Sequence, residues 1–327
     1  MSLDYPAALL GAVLFAAAPL ILAALGETIS ERGGVINLSM DGTVLLAAMV
    51  AFAAARASGD PYAGLAAGAA AGAAVAGVLA FFGAALGASE LAVGFVLTLF
   101  CRELAYFVGH GQARQPGPDL GVFSVPGLSD LPLVGPALFR QSPVVLLSLL
   151  AVAAVWFFLM RTRAGLVLRA VGESPGAAAA RGIAVARVRV LCCLAGGALA
   201  GCAGAFYSLA VKPGWGHPQG CEGAGWIALA IVIFGGWKPA RVAFGALFFA
   251  AIQVAGIALQ DVLPGLSGTL FQIAPFPVMI ATLLVVNLRR SAAFREAARR
   301  LPLLGRLMPR TAGGAPGAVA GALDRGF

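Results

Sequence analysis

Long apolar runs recur along this chain, and they limit what it can fold into more than any motif does. They lie at about residues 7–25, 40–56, 62–86, 90–108, 143–160, 190–211, 222–236, 242–260 and 274–288. About 20 such residues in a helix cross the roughly 30 Å of hydrocarbon in a bilayer. Inside that solvent every backbone N–H and C=O has to pair within the segment or its bundle. The predicted fold is therefore all-α: a polytopic helical membrane protein of about nine spans, some of them short or broken. Composition agrees, with 60% hydrophobic residues, 11% charged residues and a mean hydropathy of +0.93. A soluble domain is about 25% charged. The 44 glycines suit close helix–helix packing in lipid.

The charges fix an orientation. Residues 161–189 carry six arginines (Arg161, Arg163, Arg169, Arg181, Arg187, Arg189) and one acid, Glu173. The tail 289–310 carries seven more arginines and Glu296. Together these regions hold 13 of the 22 basic residues and 2 of the 14 acidic ones. Lys and Arg near span ends mark the cytoplasmic side. Both regions are then inside, four spans lie between them, and Lys238 and Arg241 fall inside too. Counting backwards puts the N-terminus and the 109–142 loop outside. That loop is rich in Pro and Gly and reads either as a functional loop or as a simple cover. MSLDYPAALL has no basic n-region, so the first span is expected to be retained rather than cleaved. The division predicted is one transmembrane domain over 1–290, followed by a basic and then Gly/Ala/Pro-rich, disordered tail over 291–327.

The composition and spacing disfavour several functions. The net charge of +8 sits at membrane edges without interleaved aromatics, so no nucleic-acid partner is expected. The cysteines (Cys101, Cys192, Cys193, Cys202, Cys221) form no Cys-x-x-Cys or Cys/His cluster, which leaves no metal site or disulfide framework. His110 and His217 stand alone near outer loops. No phosphate-binding G-x-x-x-x-G-K-[ST] run occurs. The chain is not expected to be an enzyme or to bind a cofactor.

Two segments do not fit ordinary spans. In GETISERGGVINLSMDGTVLLAAMVAF (26–52), Glu27, Glu31, Arg32, Asn37 and Asp41 crowd against apolar sequence around Gly33–Gly34. In GCEGAGWIALAIVIFGGWKPAR (220–241), the run Ala224–Phe234 is about 16 Å long at 1.5 Å per residue, too short to cross alone. Both have an acid, a glycine and then an apolar run: Asp41–Gly42 and Glu222–Gly223. They run in opposite senses, as in an inverted internal repeat. Paired, Gly-interrupted short segments point to a translocation site, because unwound backbone and carboxylates at membrane depth need a wet cavity or a partner. Asn37, Asp41, Gly42, Glu222 and Gly223 are the pathway candidates. Glu27, Glu31 and Arg32 read equally as pathway or gate and as a short solvated loop at the inner face. Arg102 and Glu103 mark either buried pairing or the outer end of a helix.

Within the basic loop, Ser174–Pro175 reads as an N-cap followed by proline at the first helical position. GAAAAR continues the helix and Gly182 ends it, giving about two turns over 175–181. A helix of small residues can seat in a groove on another protein. The arginines around it suit acidic or phosphate groups, or lipid headgroups alone.

GETISERGGVINLSMDG (26–42), RAVGESPGAAAARGI (169–183), GGALAGCAGAF (196–206) and GWIALAIVIFGGWKP (225–239) together resemble the permease subunits of bacterial ATP-binding-cassette importers, in the nucleoside and simple-sugar branch of the branched-chain amino acid/ribose-type family. The similarity covers roughly residues 7–290. It implies an inner-membrane protein with a cytoplasmic C-terminus. It also implies a complex with a cytoplasmic ATPase, a second permease chain that is identical or a paralogue, and an extracytoplasmic solute-binding lipoprotein. ATP and Mg would then be bound by the ATPase and not by this chain. It makes the segment of Glu173, Ser174, Pro175, Ala178, Arg181 and Gly182 similar to the helix that docks on the ATPase, and NLSMDG similar to the element facing the path. The family often has Glu where Asp41 stands, and Arg-Trp-Asn-Pro where Gly236–Trp237–Lys238–Pro239 stands. The cation at Lys238 therefore puts a direct solute role there in doubt. The other reading is a self-contained ion-coupled carrier in which Asp41, Glu222 or Glu27 titrates. An intramembrane enzyme would need a facing His, Asp or Cys cluster.

Overall fold

A computed structural model of the chain describes residues 4–124 and 140–262, with a few isolated positions beyond (135, 277, 280, 281, 284, 316 and 317). The helices are α1 (Asp4–Arg32), α2 (Met40–Ser58), α3 (Pro61–Leu86), α4 (Glu90–Gly109), α5 (Pro143–Arg161), α6 (Arg163–Glu173), α7 (Pro175–Ala180), α8 (Val185–Phe206), α9 (Ala224–Gly235) and α10 (Pro239–Val262). A 3₁₀ turn, His110–Gln112, extends α4, and a π-helical turn, Tyr207–Val211, extends α8. Two short strands, β1 (Phe123–Ser124) and β2 (Arg140–Gln141), pair antiparallel. Among the described residues seven helices are long and apolar enough to cross a membrane, and α9 is a shorter apolar one. The first eight apolar runs each contain a helix. The ninth, 274–288, falls largely outside the described residues, as does most of 125–139 and of the 291–327 tail.

Local chemistry sets the helix ends. Asp60 caps α3 by accepting the Tyr62 N–H at 2.9 Å, with Pro61 at the first helical position. Ser89 accepts from Ala92 at the start of α4, and Thr162 accepts from Gly165 at 3.0 Å at the start of α6. Gly59 and Gly87 end α2 and α3 in the left-handed region.

The helix ends sort into two groups. Arg32 at the end of α1 meets Glu173 at the end of α6, and Arg189 near the start of α8 meets Glu90 at the start of α4. At the opposite end, Arg56 of α2 donates to Gln112 at 2.6 Å, and Gln141 donates to the Gly11 carbonyl of α1 at 3.1 Å. The start of α1 and the arginine-rich loop therefore lie at opposite ends, as the parity of the charges requires.

The helix α1 is the centre of the bundle. Ala17 to Ser30 are buried without exception, and α1 packs against α5, α8, α9 and α10. A helix apolar on every side belongs inside. The outer wall is formed by α3, α4 and α5, where Phe81, Phe95, Phe100, Phe107, Leu150 and Phe157 stand exposed. Apolar surface of this extent is what hydrocarbon covers.

Small residues bring the inner helices into backbone contact. A Cβ on Gly201 of α8 would overlap the Gly68 carbonyl of α3, and one on Gly72 of α3 would overlap the Gly197 carbonyl of α8. One on Gly26 of α1 would overlap the Gly196 carbonyl. With no hydrophobic drive between helices in lipid, such close approach is what holds them. Gly201→Val is expected to destabilise the bundle by about 1–3 kcal/mol, the usual scale of overpacking. Gly111→Ala, where nothing lies within 4 Å, is expected to be neutral. Thermal unfolding of both variants in detergent measures this.

Candidate functional site

Two helices begin at the same place in the interior and run apart. Between α1 and α2 the chain breaks over residues 33–39, with Gly34 at a φ of +85°. Asn37 shapes the turn: its Oδ1 accepts the Ser39 N–H at 3.0 Å and the Ser39 hydroxyl at 2.5 Å. From there α2 runs towards Arg56 and Gln112. The second helix, α9, starts after Gly223, whose φ is +84°, and runs towards Trp237 and Arg32. The starts meet through Asp41, whose Oδ1 accepts the Gly225 N–H at 3.1 Å.

Asp41 is 8% exposed and lies in the first turn of its own helix. It also does for α9 what an N-cap side chain does, since Gly225 carries one of the otherwise unpaired N–H groups of a helix start. The carboxylate thus sits at the positive ends of two helix dipoles. The approach needs glycine. A Cβ on Gly225 would overlap the Asp41 backbone, and one on Gly42 would overlap the backbone of Thr98 in α4. The Thr98 hydroxyl also donates to the Leu38 carbonyl at 2.6 Å, tying α4 to the break.

The acids of α1 lie below this junction. The sequence leaves Glu27, Glu31 and Arg32 open between a solvated loop and a gate; the loop reading is overturned, because α1 continues to Arg32. Glu27 is fully buried and Glu31 is 4% exposed. Both serve as acceptors for donors buried in the bundle. Glu27 Oε1 takes the Asn37 N–H at 2.9 Å, and Glu31 takes the indole N–H of Trp237. Arg32 Nε donates to the Trp237 carbonyl at 3.1 Å, and its Nη1 stands 3.9 Å from Glu173 Oε1. Glu27 Oε2 and Asn37 Nδ2 are buried with no hydrogen-bond partner among the described residues.

Glu222 belongs to a different cluster, in the loop that precedes α9. Its Oε1 accepts the Gln219 N–H at 2.7 Å and the Tyr106 hydroxyl, and its Oε2 accepts the Gly220 N–H at 2.6 Å. Buried Gln219 in turn accepts from Gly216 at 3.1 Å and donates to the Gly214 carbonyl at 3.0 Å. The Tyr106 ring lies 4.4 Å from that of His217 and 5.6 Å from that of Trp215. So Glu222 organises its own loop and pins it to α4. Arg102 and Glu103 do not end α4, which continues to Gly109 with both exposed.

In the basic loop the short helix is present over Pro175–Ala180, one residue shorter than the sequence predicts. Ser174 is its N-cap residue, but its side chain makes no capping bond. Glu173 ends α6 instead, and Gly182 follows the helix at a φ of +78°. Ala178 is a correction: it is 5% exposed and faces the protein. The outward face is Gly176, Ala177, Ala179, Ala180 and Arg181. The sequence also misses Trp237, Tyr106, Gln219 and Gly225 as site-forming residues. Of these only Gly225 leaves a signal, as the second glycine of Gly223-Ala-Gly225 at a helix start.

Among the described residues no group of three or more His, Cys, Asp or Glu side chains could hold a metal ion. The chain matches the family described as branched-chain amino acid transport system/permease component over residues 9–285. It is 40% identical over 263 residues to the putative glucose ABC transporter permease protein TsgC13 of Haloferax volcanii, covering 79% of this chain and 80% of that one. It is 32% identical over 258 residues to the guanosine ABC transporter permease protein NupQ of Bacillus subtilis (74% and 79% covered). It is 30% identical over 286 residues to the nucleoside ABC transporter permease protein NupC of Lactococcus lactis (83% and 89%). No solved structure matches it significantly.

If Asp41 caps α9 across the helix junction, Asp41→Ala is expected to cost about 1–2 kcal/mol of stability, the upper range for a lost cap. Asp41→Asn keeps an acceptor oxygen and is expected to cost clearly less. Thermal unfolding of the two variants side by side measures the difference.

Proposed function

Because the chain belongs to the branched-chain amino acid transport system/permease component family, we propose that it is the membrane-spanning subunit of an ATP-driven, binding-protein-dependent importer. Its solute is a nucleoside or a simple sugar. The observation that carries this is the family match across almost the whole membrane domain, joined to relatives named as glucose and nucleoside permeases. The complex contains a cytoplasmic ATPase, which handles ATP and Mg²⁺, a second permease chain and a solute-binding lipoprotein outside. The end of the bundle with Arg161, Arg163 and Arg187 faces the cytoplasm of the bacterial inner membrane, following the positive-inside rule. The apolar run at 274–288, read from the sequence as one more crossing, would put the C-terminus in the cytoplasm as well.

The path runs past the junction of α2 and α9. A solute rich in hydroxyls and without charge suits it: the hydroxyls donate to carboxylate oxygen, and half-helix starts supply N–H donors. A polyanion would meet Asp41 and the acids of α1 unfavourably. In this reading Asn37, Asp41, Gly42 and Gly223 line the path. Glu222 serves it by holding the loop before α9. Glu27 holds the break between α1 and α2, and Glu31 holds the turn between α9 and α10.

Access switches when the ATPase dimer closes against the α7 segment and moves it. That needs ATP to favour one state over the other by a few kcal/mol. Docking uses the outward face of α7. Ala180→Glu is expected to abolish ATP-dependent uptake in vesicles reconstituted with ATPase and binding protein, while the purified chain keeps its wild-type melting temperature. Ala178→Glu, at the buried position, is expected to lower that temperature. Uptake of labelled guanosine, uridine and glucose in the same vesicles identifies the solute. Accumulation by this chain alone, driven by an ion gradient, would instead make it a self-contained carrier.

A further inference from the structure

Trp237 has an uncommon backbone for its size. Its φ is +56°, in the left-handed region that bulky residues rarely adopt. It stands in the turn between α9 and α10, 3% exposed. Its two remaining polar groups are both taken by the end of α1: the indole N–H goes to Glu31, and the carbonyl accepts from Arg32 Nε at 3.1 Å. Its own N–H closes the α9 end on the Val232 carbonyl at 3.2 Å. Consecutive residues of one helix thus grip both sides of a single residue in a sterically unfavourable turn. Such positions persist only where their surroundings over-determine them.

The same end of α1 is in contact with the docking segment. A Cβ on Gly172 would overlap the Arg32 carbonyl, so α6 and α1 meet backbone to backbone. The Arg32 guanidinium reaches Glu173 Oε1, the residue before Ser174 and Pro175. The other oxygen of Glu173 accepts the Gly317 N–H at 3.2 Å. Beyond Trp237, α9 is a 12-residue helix, almost wholly buried, whose far end holds the Asp41 contact. A short buried helix with little room to bend passes a displacement at one end to the other.

We propose that Glu31 and Arg32 form a clasp that transmits movement of the ATPase-docking segment to α9, and so to the helix junction at Asp41. They are positioning residues, not solute contacts. This rests on the importer reading above. The route is Glu173 and Gly172 to Arg32, Arg32 and Glu31 to Trp237, and Trp237 along α9 to Gly225.

The experiment measures ATP hydrolysis and solute uptake together, in vesicles holding the complete complex with wild-type chain, Arg32→Gln or Trp237→Phe. Arg32→Gln removes the charged donor and the pair with Glu173. Trp237→Phe keeps a buried ring and removes the indole N–H. The expected result is assembled complex with ATP hydrolysis within about twofold of wild type and uptake down about tenfold in Arg32→Gln, the scale of one lost charge-assisted hydrogen bond. A smaller fall is expected in Trp237→Phe. More ATP is then used per solute moved, which loss of folding alone does not produce. Unchanged uptake in both variants overturns the clasp. So does a parallel fall of hydrolysis and uptake, or failure of both variants to assemble, since the contacts would then be structural only. Absence of ATP-driven uptake in the wild-type complex would instead remove the importer reading on which the clasp depends.

Discussion

A carboxylate inside a membrane bundle has to be compensated where it stands, and Asp41 is compensated by two helix starts at once. Burying a charge without partners costs far more than a folded protein can spare. Here the compensation is a direct N–H bond from Gly225 at 3.1 Å and the positive ends of α2 and α9. That arrangement dictates its surroundings. Both helices have to begin at the junction, so the chain breaks at 33–39 and α9 spans only Ala224–Gly235. Glycine has to occupy positions 42 and 225, because any side chain there would push α4 or α9 away.

The acids of α1 answer the same constraint from the other side. Irregular backbone at membrane depth has N–H groups that no water can reach. Glu27 accepts one from Asn37 in the first break, and Glu31 accepts the indole N–H next to the second. One helical turn of α1 therefore holds both interruptions in place. The inner ends of the broken segments are tied to the helix that also touches the arginine-rich loop, while Glu222, Gln219 and Tyr106 tie down the outer approach to α9. A polar skeleton thus crosses a bundle whose remaining core is apolar, with glycines at the closest helix contacts.

Much of this was legible beforehand, and the misses have physical reasons. Apolar length located α2, α3, α4, α5 and α10 to within a few residues, because in lipid a span is set by hydrophobic extent. The end of α1 was not legible: GETISER is polar enough to read as a loop, and only the partners Asn37, Trp237 and Glu173 make it a buried helical turn. The opposed senses of Asp41–Gly42 and Glu222–Gly223 were legible from parity, yet the two acids are not equivalent. Asp41 bonds across to α9, whereas Glu222 bonds within its own loop and to α4. At the short helix, Ser174–Pro175 marked the start and Gly182 lay within a residue or two of the end, but a run of alanines carries no sign of which face turns inward, and Ala178 does.

Taken alone, the sequence determined that the chain crosses a membrane many times as helices. It also determined which end of the bundle gathers the arginines and where the backbone has to break. Hydrophobic length, charge asymmetry and glycine are local properties, and each is written at the position where it acts. Only the tertiary structure decided that Asp41 caps a helix 184 residues away and that α1 grips Trp237 across 206 residues of chain. Those contacts depend on which donors and acceptors the packed helices bring within about 3 Å of one another, the reach of a hydrogen bond, and sequence separation carries no record of that.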